Sequence, residues 1–299
     1  MDTRMPVRPS GARPVTTRAT GAGTALRAAR VMSAIVAVLM ATSAAGGLWI
    51  TGLYRDPPSL VAAFRGYDLV ALAVAPVLAV VLVASRRGSA RIELLWLGIL
   101  AYAVYNYAFY VFGAAFNAFF LIHAALFALA LFAFVLALAN LDVAGRVAVA
   151  ARTRRFVPWI GGLLVLAAVI GVFWAYSSLR FAVTGEPVQT LPVVLPDAGL
   201  HLAYALDLSV LVPSYLLTAI LLWRRVAWGY VLATALLAAG VAHQLAYLSA
   251  MAFQWRAGVP GSRAFDAMEP PIALAYLVAT VVLLRAVPRA RAAAPDPRT

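Results

Sequence analysis

Apolar residues along this chain fall in eight long blocks, roughly 31–54, 69–85, 94–114, 118–139, 157–178, 201–223, 227–252 and 271–287. Each is near the length of about 20 residues that a helix needs to cross a bilayer. The pattern predicts an all-α, polytopic membrane helix bundle of about eight transmembrane helices. A turn around Ala115-Phe116-Asn117 joins helices 3 and 4, and Arg224-Arg225 separates helices 6 and 7. Joins this short imply antiparallel neighbours. The longer connections 55–68, 179–200 and 253–270 carry Pro57-Pro58, then Pro187, Pro192 and Pro196, then Gly258, Pro260, Gly261 and Pro270. The expected organisation is a disordered basic cytoplasmic tail (1–30), an eight-helix transmembrane domain (31–287) and a cytoplasmic tail (288–299). Ile35 to Met40 followed by Ala41-Thr42-Ser43-Ala44 imitates a secretory signal. The apolar block continues to Tyr54, longer than a signal needs, so an uncleaved helix is expected.

Composition agrees with the pattern. The chain is 64% apolar and 12% charged, against about 25% charged residues in soluble domains. A water-soluble core of this size could not hide so much apolar surface. The net charge of +13 would suit nucleic acid, but the basic residues stand in short runs between apolar blocks, at helix ends. That is topogenic charge, so no nucleic-acid partner is expected. With the N-terminus placed inside, 19 arginines fall in inner segments and five in outer ones. The split follows the positive-inside rule and predicts both termini in the cytoplasm, with the bacterial inner membrane as the location. All 24 basic residues are Arg. Without a lysine amine no Schiff base to retinal or pyridoxal phosphate can form. Without Cys, thiol redox chemistry, Cys-ligated metals and disulfides are excluded.

A faint internal repeat adds detail. Asp68, Pro76, Arg86-Arg87 and Trp96 are echoed by Asp207, Pro213, Arg224-Arg225 and Trp228. Four helices per half would make two parallel repeats about an axis along the membrane normal. Arginine at helix ends and proline within helices are also ordinary features, which is the plainer account.

Polar residues inside the blocks are the candidates for chemistry. Helix 3 carries Tyr102, Asn106, Tyr110, Gly113 and Asn117 at steps of four, four, three and four, which predicts one helical face. The stripe is either the wall of a pocket or interhelical glue with interface tyrosines. Helix 7 carries His243, Tyr247 and Gln254, with Gln244 beside them. Helix 4 carries His123, and helix 6 opens with His201 and Tyr204 before Asp207. All three histidines fall in the outer half. As metal or haem ligands the candidates are His123, His201 and His243, but no histidine box or Glu-x-x-His motif supports them. A carboxylate within a membrane helix costs about 2.5 kcal/mol or more on insertion scales. Asp207 is therefore expected to face the interior, paired with Arg55, Arg65, Arg180 or His243, or simply to form a structural ion pair. Asp207, His243 and His123 are expected to converge on one cavity. Asp56, Asp68 and Glu269 are read as outer-border carboxylates, and Trp159, Trp223 and Trp228 as inner-interface anchors.

The runs Tyr105-Asn106-Tyr107-Ala108-Phe109-Tyr110-Val111-Phe112-Gly113 and Arg225-Val226-Ala227-Trp228-Gly229-Tyr230 resemble those of a group of uncharacterised multi-pass membrane proteins common in actinobacteria. The resemblance spans most of helices 1–8. It implies the topology and adds no chemistry. The prenyltransferase, rhomboid and haem A synthase families are unlike this chain, lacking here their Asp-rich motifs, Gly-x-Ser-Gly and paired helix histidines.

The leading expectation is a protein that binds or transports a small solute or lipid through an outward-facing polar pocket. Its candidate ligand-binding residues are Asp207, His243, His123, Asn106, Tyr102, Tyr110, Tyr247 and His201. The alternatives are a membrane enzyme with a His-ligated metal or haem, and a structural or assembly subunit. The partner expected in every case is the lipid bilayer.

Overall fold

A computed structural model describes residues 15–143, 155–186 and 192–287, with residues 15–22 described through their backbone alone. Among them the regular structure is entirely helical. Eight helices are long and apolar enough to cross a membrane. They are α1 (Val15–Trp49), α2 (Pro58–Ser85), α3 (Ala90–Phe112), α4 (Phe120–Ala139), α5 (Val157–Thr184), α6 (Asp197–Trp223), α7 (Ala227–Arg256) and α8 (Glu269–Ala286). Their outward faces carry large apolar side chains such as Leu121, Trp159 and Val183, at 78%, 79% and 87% exposure. Such surfaces, on helices of spanning length, suit acyl chains rather than water. The chain is a multi-pass membrane protein.

Several boundaries differ from the sequence expectation. Helix α1 begins at Val15, so residues 15–30, expected in an unstructured tail, are helical. Residues 1–14 and the tail 288–299 lie outside the described residues. Helix α2 begins at Pro58 rather than at residue 69. Proline fits the first helical position because its fixed φ is already helical and that position needs no N–H. The polar run Arg65-Gly66-Tyr67-Asp68 is thus helical and does not belong to a connection. Helix α5 runs to Thr184, past residue 178, with one break at Val169 between its pieces Val157–Ala168 and Ile170–Thr184.

Helices α1 to α4 close a ring, in which α1 packs on α2 and α4, and α3 on α2 and α4. Helix α7 lies along α2 and α3 and also carries α6 and α8. Helix α5 packs on α6. The centrality of α7 follows from its small residues. A Cβ on Gly66 of α2 would strike the Ala250 backbone, and one on Gly98 of α3 would meet Ala238 and Ala235. Close backbone approach of this kind drives helix association in a membrane, where burial from water gives no force.

Helix α6 is interrupted by a π turn, Asp207–Leu211. The Val212 N–H donates to the Asp207 carbonyl, five residues back. Pro213 explains the widening. It has no N–H for the Ser209 carbonyl, and its ring would press on that carbonyl in a regular helix.

Candidate functional site

At one end of the bundle the α1–α2 and α3–α4 joins are tied together, and the α5–α6 join is tied to the ends of α7 and α2. The Ala115 N–H donates to Asp56 Oδ1 at 2.8 Å. Gln254, wholly buried near the end of α7, binds three backbone atoms through its amide. Its Nε2 donates to the Val194 and Ser59 carbonyls at 2.7 and 2.8 Å, and its Oε1 accepts the Val194 N–H at 2.9 Å. Tyr247 Oη accepts the Val193 N–H at 3.4 Å. The stretch before α6 is therefore fastened across the ends of α7 and α2.

Below this strap stands Asp207, 9% exposed on the π turn of α6. Its Oδ1 accepts from Tyr105 Oη of α3, and its Oδ2 accepts from Trp174 Nε1 of α5 at 2.8 Å. Trp174 stacks on Tyr204 with centroids 4.2 Å apart. His243 of α7 stands edge-on to Tyr105 at 4.9 Å. Four helices thus contribute to one polar group. The charged partners expected for Asp207 are replaced by neutral donors: no arginine lies in ion-pair distance among the described residues. An N–H and an O–H satisfy a carboxylate in the bilayer without burying a second charge.

A second carboxylate lies in the α1–α4 ring. Asp68, read as an outer-border residue, is wholly buried because α2 starts earlier than expected. Its Oδ2 accepts from Tyr54 Oη at 2.6 Å and its Oδ1 from Tyr110 Oη at 2.9 Å. A Cβ on Gly47 would overlap Asp68 and the Tyr54 hydroxyl, so α1 presents bare backbone to the carboxylate. His123 belongs to this region. Its Nε2 lies 3.0 Å from Ser43 Oγ, and its ring lies 4.9 Å from that of Tyr110.

The expected residues therefore divide. Asp207 and His243 meet through Tyr105. His123 and Tyr110 gather instead near Asp68, so the structure does not bring His123 to the Asp207 group. Tyr102 and Asn106 are buried on α3, with Tyr102 Oη and Asn106 Nδ2 unpartnered. Tyr247 serves the strap. His201 is exposed on the first turns of α6. Asn117 leaves the stripe because α3 ends at Phe112; its Oδ1 accepts the Phe119 N–H at 2.9 Å and opens α4 instead. Among the described residues no three His, Cys, Asp or Glu side chains are placed to hold a metal ion. At the opposite end of the bundle, a small open cleft is lined by Leu26, Glu93, Trp96 and Asp142, which the sequence does not single out.

Tyr105, Trp174 and Tyr54 were also missed as site residues. Trp174 carried a signal: it lies in the second half of its span, apart from the inner-interface tryptophans. Tyr105 lies off the Tyr102 stripe and was hidden by it. No protein-family model, curated protein or solved structure matches the chain.

Proposed function

We propose that this protein binds or transports a small solute or lipid at the Asp207 group, entered from the outer face. The supporting observation is the manner in which Asp207 is held. Its carboxylate sits on a widened helical turn, bonded to neutral donors from α3 and α5. Such turns recur at functional sites in helices. Helix α5 packs chiefly on α6, so separation of α5 from α6 would part Trp174 from Asp207, and movement of α6 away from α3 would part Tyr105 from it, freeing a carboxylate. The group so uncovered suits a cationic or hydrogen-bond-donating ligand. Thermal unfolding of the purified chain in nanodiscs, against a panel of small organic cations, anions and lipids, tests the reading. A panel member should stabilise the native chain and leave Asp207→Asn unmoved. Equal stabilisation of both, or none by any compound, would overturn it.

The proposed setting is the bacterial inner membrane, with both termini cytoplasmic, and membership of the actinobacterial group that the sequence resembles. The arginine distribution supports the orientation. Because the native chain has no Cys, a single cysteine at position 150 should resist an impermeant reagent in intact cells and react after permeabilisation. Labelling in intact cells would invert the topology.

A further inference from the structure

Asp68 is surrounded in a way that Asp207 is not. Tyr110 Oη, 2.9 Å from Asp68 Oδ1, also stands 3.3 Å from the Phe64 carbonyl oxygen. That carbonyl belongs to the preceding turn of α2, and a carbonyl has a second lone pair beyond its helical bond. Tyr110 therefore has two acceptors in reach for one hydrogen. The groups around Asp68 are Tyr54 from the α1–α2 join, Tyr102, Tyr107 and Tyr110 from α3, and His123 from α4. Helix α1 brings Ser43 and the Gly47 backbone. Arg65, the charged group on the same helix within electrostatic reach, makes no ion pair with Asp68. Helix α7 contributes Tyr247, turned to the strap, and His243, turned to Tyr105.

We infer that Asp68 is a reversible proton-binding site, with Tyr110 as the pivot that lets the enclosed ring hold either protonation state fully hydrogen-bonded. In the carboxylate state Tyr54 donates to Oδ2 and Tyr110 donates to Oδ1. When a proton from water binds Oδ1, the new O–H donates to Tyr110 Oη, and the Tyr110 hydrogen rotates to the Phe64 carbonyl. One O–H bond forms at Asp68, water supplies and recovers the proton, and nothing is oxidised. Neither state strands a buried donor, whose desolvation costs about 1–3 kcal/mol. The pair around Asp207 offers no such choice. The indole N–H of Trp174 only donates, and the Tyr105 hydroxyl has no second acceptor among the described residues. A proton there would leave one hydrogen without a partner. The unpartnered His123 Nδ1 and Tyr102 Oη in the ring interior are polar atoms of the kind that ordered water satisfies, giving the proton a wet neighbourhood within an otherwise apolar bundle.

The site stands whether or not a solute binds at Asp207, and its test needs no ligand. Infrared spectra of the full chain in nanodiscs, taken across pH in light and heavy water, read the carbonyl stretch of a protonated carboxyl directly. The native chain should show a band that grows as pH falls. Asp68→Asn should lose it and Asp207→Asn should keep it. Tyr110→Phe should move it to higher frequency, because the acid O–H loses its acceptor; this variant decides the matter if Asp68→Asn does not fold. Absence of the band at every pH where the chain is folded would overturn the inference. So would its persistence in Asp68→Asn, or an unmoved frequency in Tyr110→Phe.

Discussion

The two halves of this molecule solve one problem in different ways. Each places an aspartate inside the bilayer, on its second helix. In the first half the helices close a ring, and Asp68 is held by Tyr54, Tyr110 and the bare backbone of α1 at Gly47. In the second half α7 packs on α2 and α3 as well as on α6 and α8, and α5 packs chiefly on α6. There the carboxylate is itself a fastener, since Asp207 ties α5 to α3 through Trp174 and Tyr105. Asp68 thus belongs to a closed ring of helices, whereas Asp207 is a joint between α3, α5 and α6. The sequence echo between the halves extends to the aspartate, the proline and the arginine pair, but the packing around them differs.

The sharpest way to break this comparison is a single methyl group. Gly47→Ala would push a Cβ into Asp68 and Tyr54, and overpacking of that kind costs about 1–3 kcal/mol. In α5 a Cβ on Gly162 meets nothing within 4 Å, so Gly162→Ala should be neutral or gain about 0.5–1 kcal/mol from reduced backbone freedom. Thermal unfolding of both variants in detergent reads the difference. Similar losses in both would mean that this face of α5 is packed as tightly as the surroundings of Asp68.

A smaller effect is expected at the joint. Trp174→Phe keeps the ring against Tyr204 and removes the indole N–H from Asp207, a loss of about 1.5 kcal/mol, the low end for a bond to a charged group. The change should be local. Hydrogen exchange should rise in α5 and in the Asp207–Leu211 turn, and stay level in α1 to α4. Uniform loosening of all eight helices would remove the distinction between ring and hairpin.

How much of this was legible beforehand follows from which forces act locally. The eight spans were readable because apolar run length is a property of the chain alone. Helix starts at Pro58 and Glu269 were blurred because polar residues within the first turns resemble a connection; Pro57-Pro58 held the signal that α2 begins there. The stripe of Tyr102, Asn106 and Tyr110 is buried on one face of α3, as helical spacing implies. The partition of polar groups was not legible. Whether His123 turns to Asp207 or to Ser43 depends on how α4 is placed against α1, and that placement is set by small residues such as Gly46, where a Cβ would meet Phe119. The cost of a carboxylate in the bilayer points to Asp207, but it points to Asp68 only once α2 is known to begin at Pro58 rather than at residue 69.

The least disruptive probe is at the water-facing joint. Asp56 lies between α1 and α2, where Oδ1 accepts the Ala115 N–H and Oδ2 is buried without a partner. Burial holds its carboxyl above the usual carboxylate range, and the Ala115 N–H pulls weakly the other way. A carboxyl whose pKa is raised on folding binds its proton more tightly in the folded state. Its contribution to stability is fully present below the unfolded pKa and is lost as pH rises through the folded one. Asp56→Asn keeps an acceptor for Ala115 and removes the charge. The variant should therefore match the native Tm in acid and exceed it at neutral pH. The gain should be slight, since water screens a half-exposed group. Parallel melts from mildly acidic to neutral pH measure it, and a native chain that instead gained on the variant as pH rose would show that Asp56 is favoured as the anion. In that case the outer joints, like Asp207, would hold their carboxylates as fasteners, and Asp68 would be left as the one carboxylate in this set with hydrogen bonds arranged for both of its protonation states.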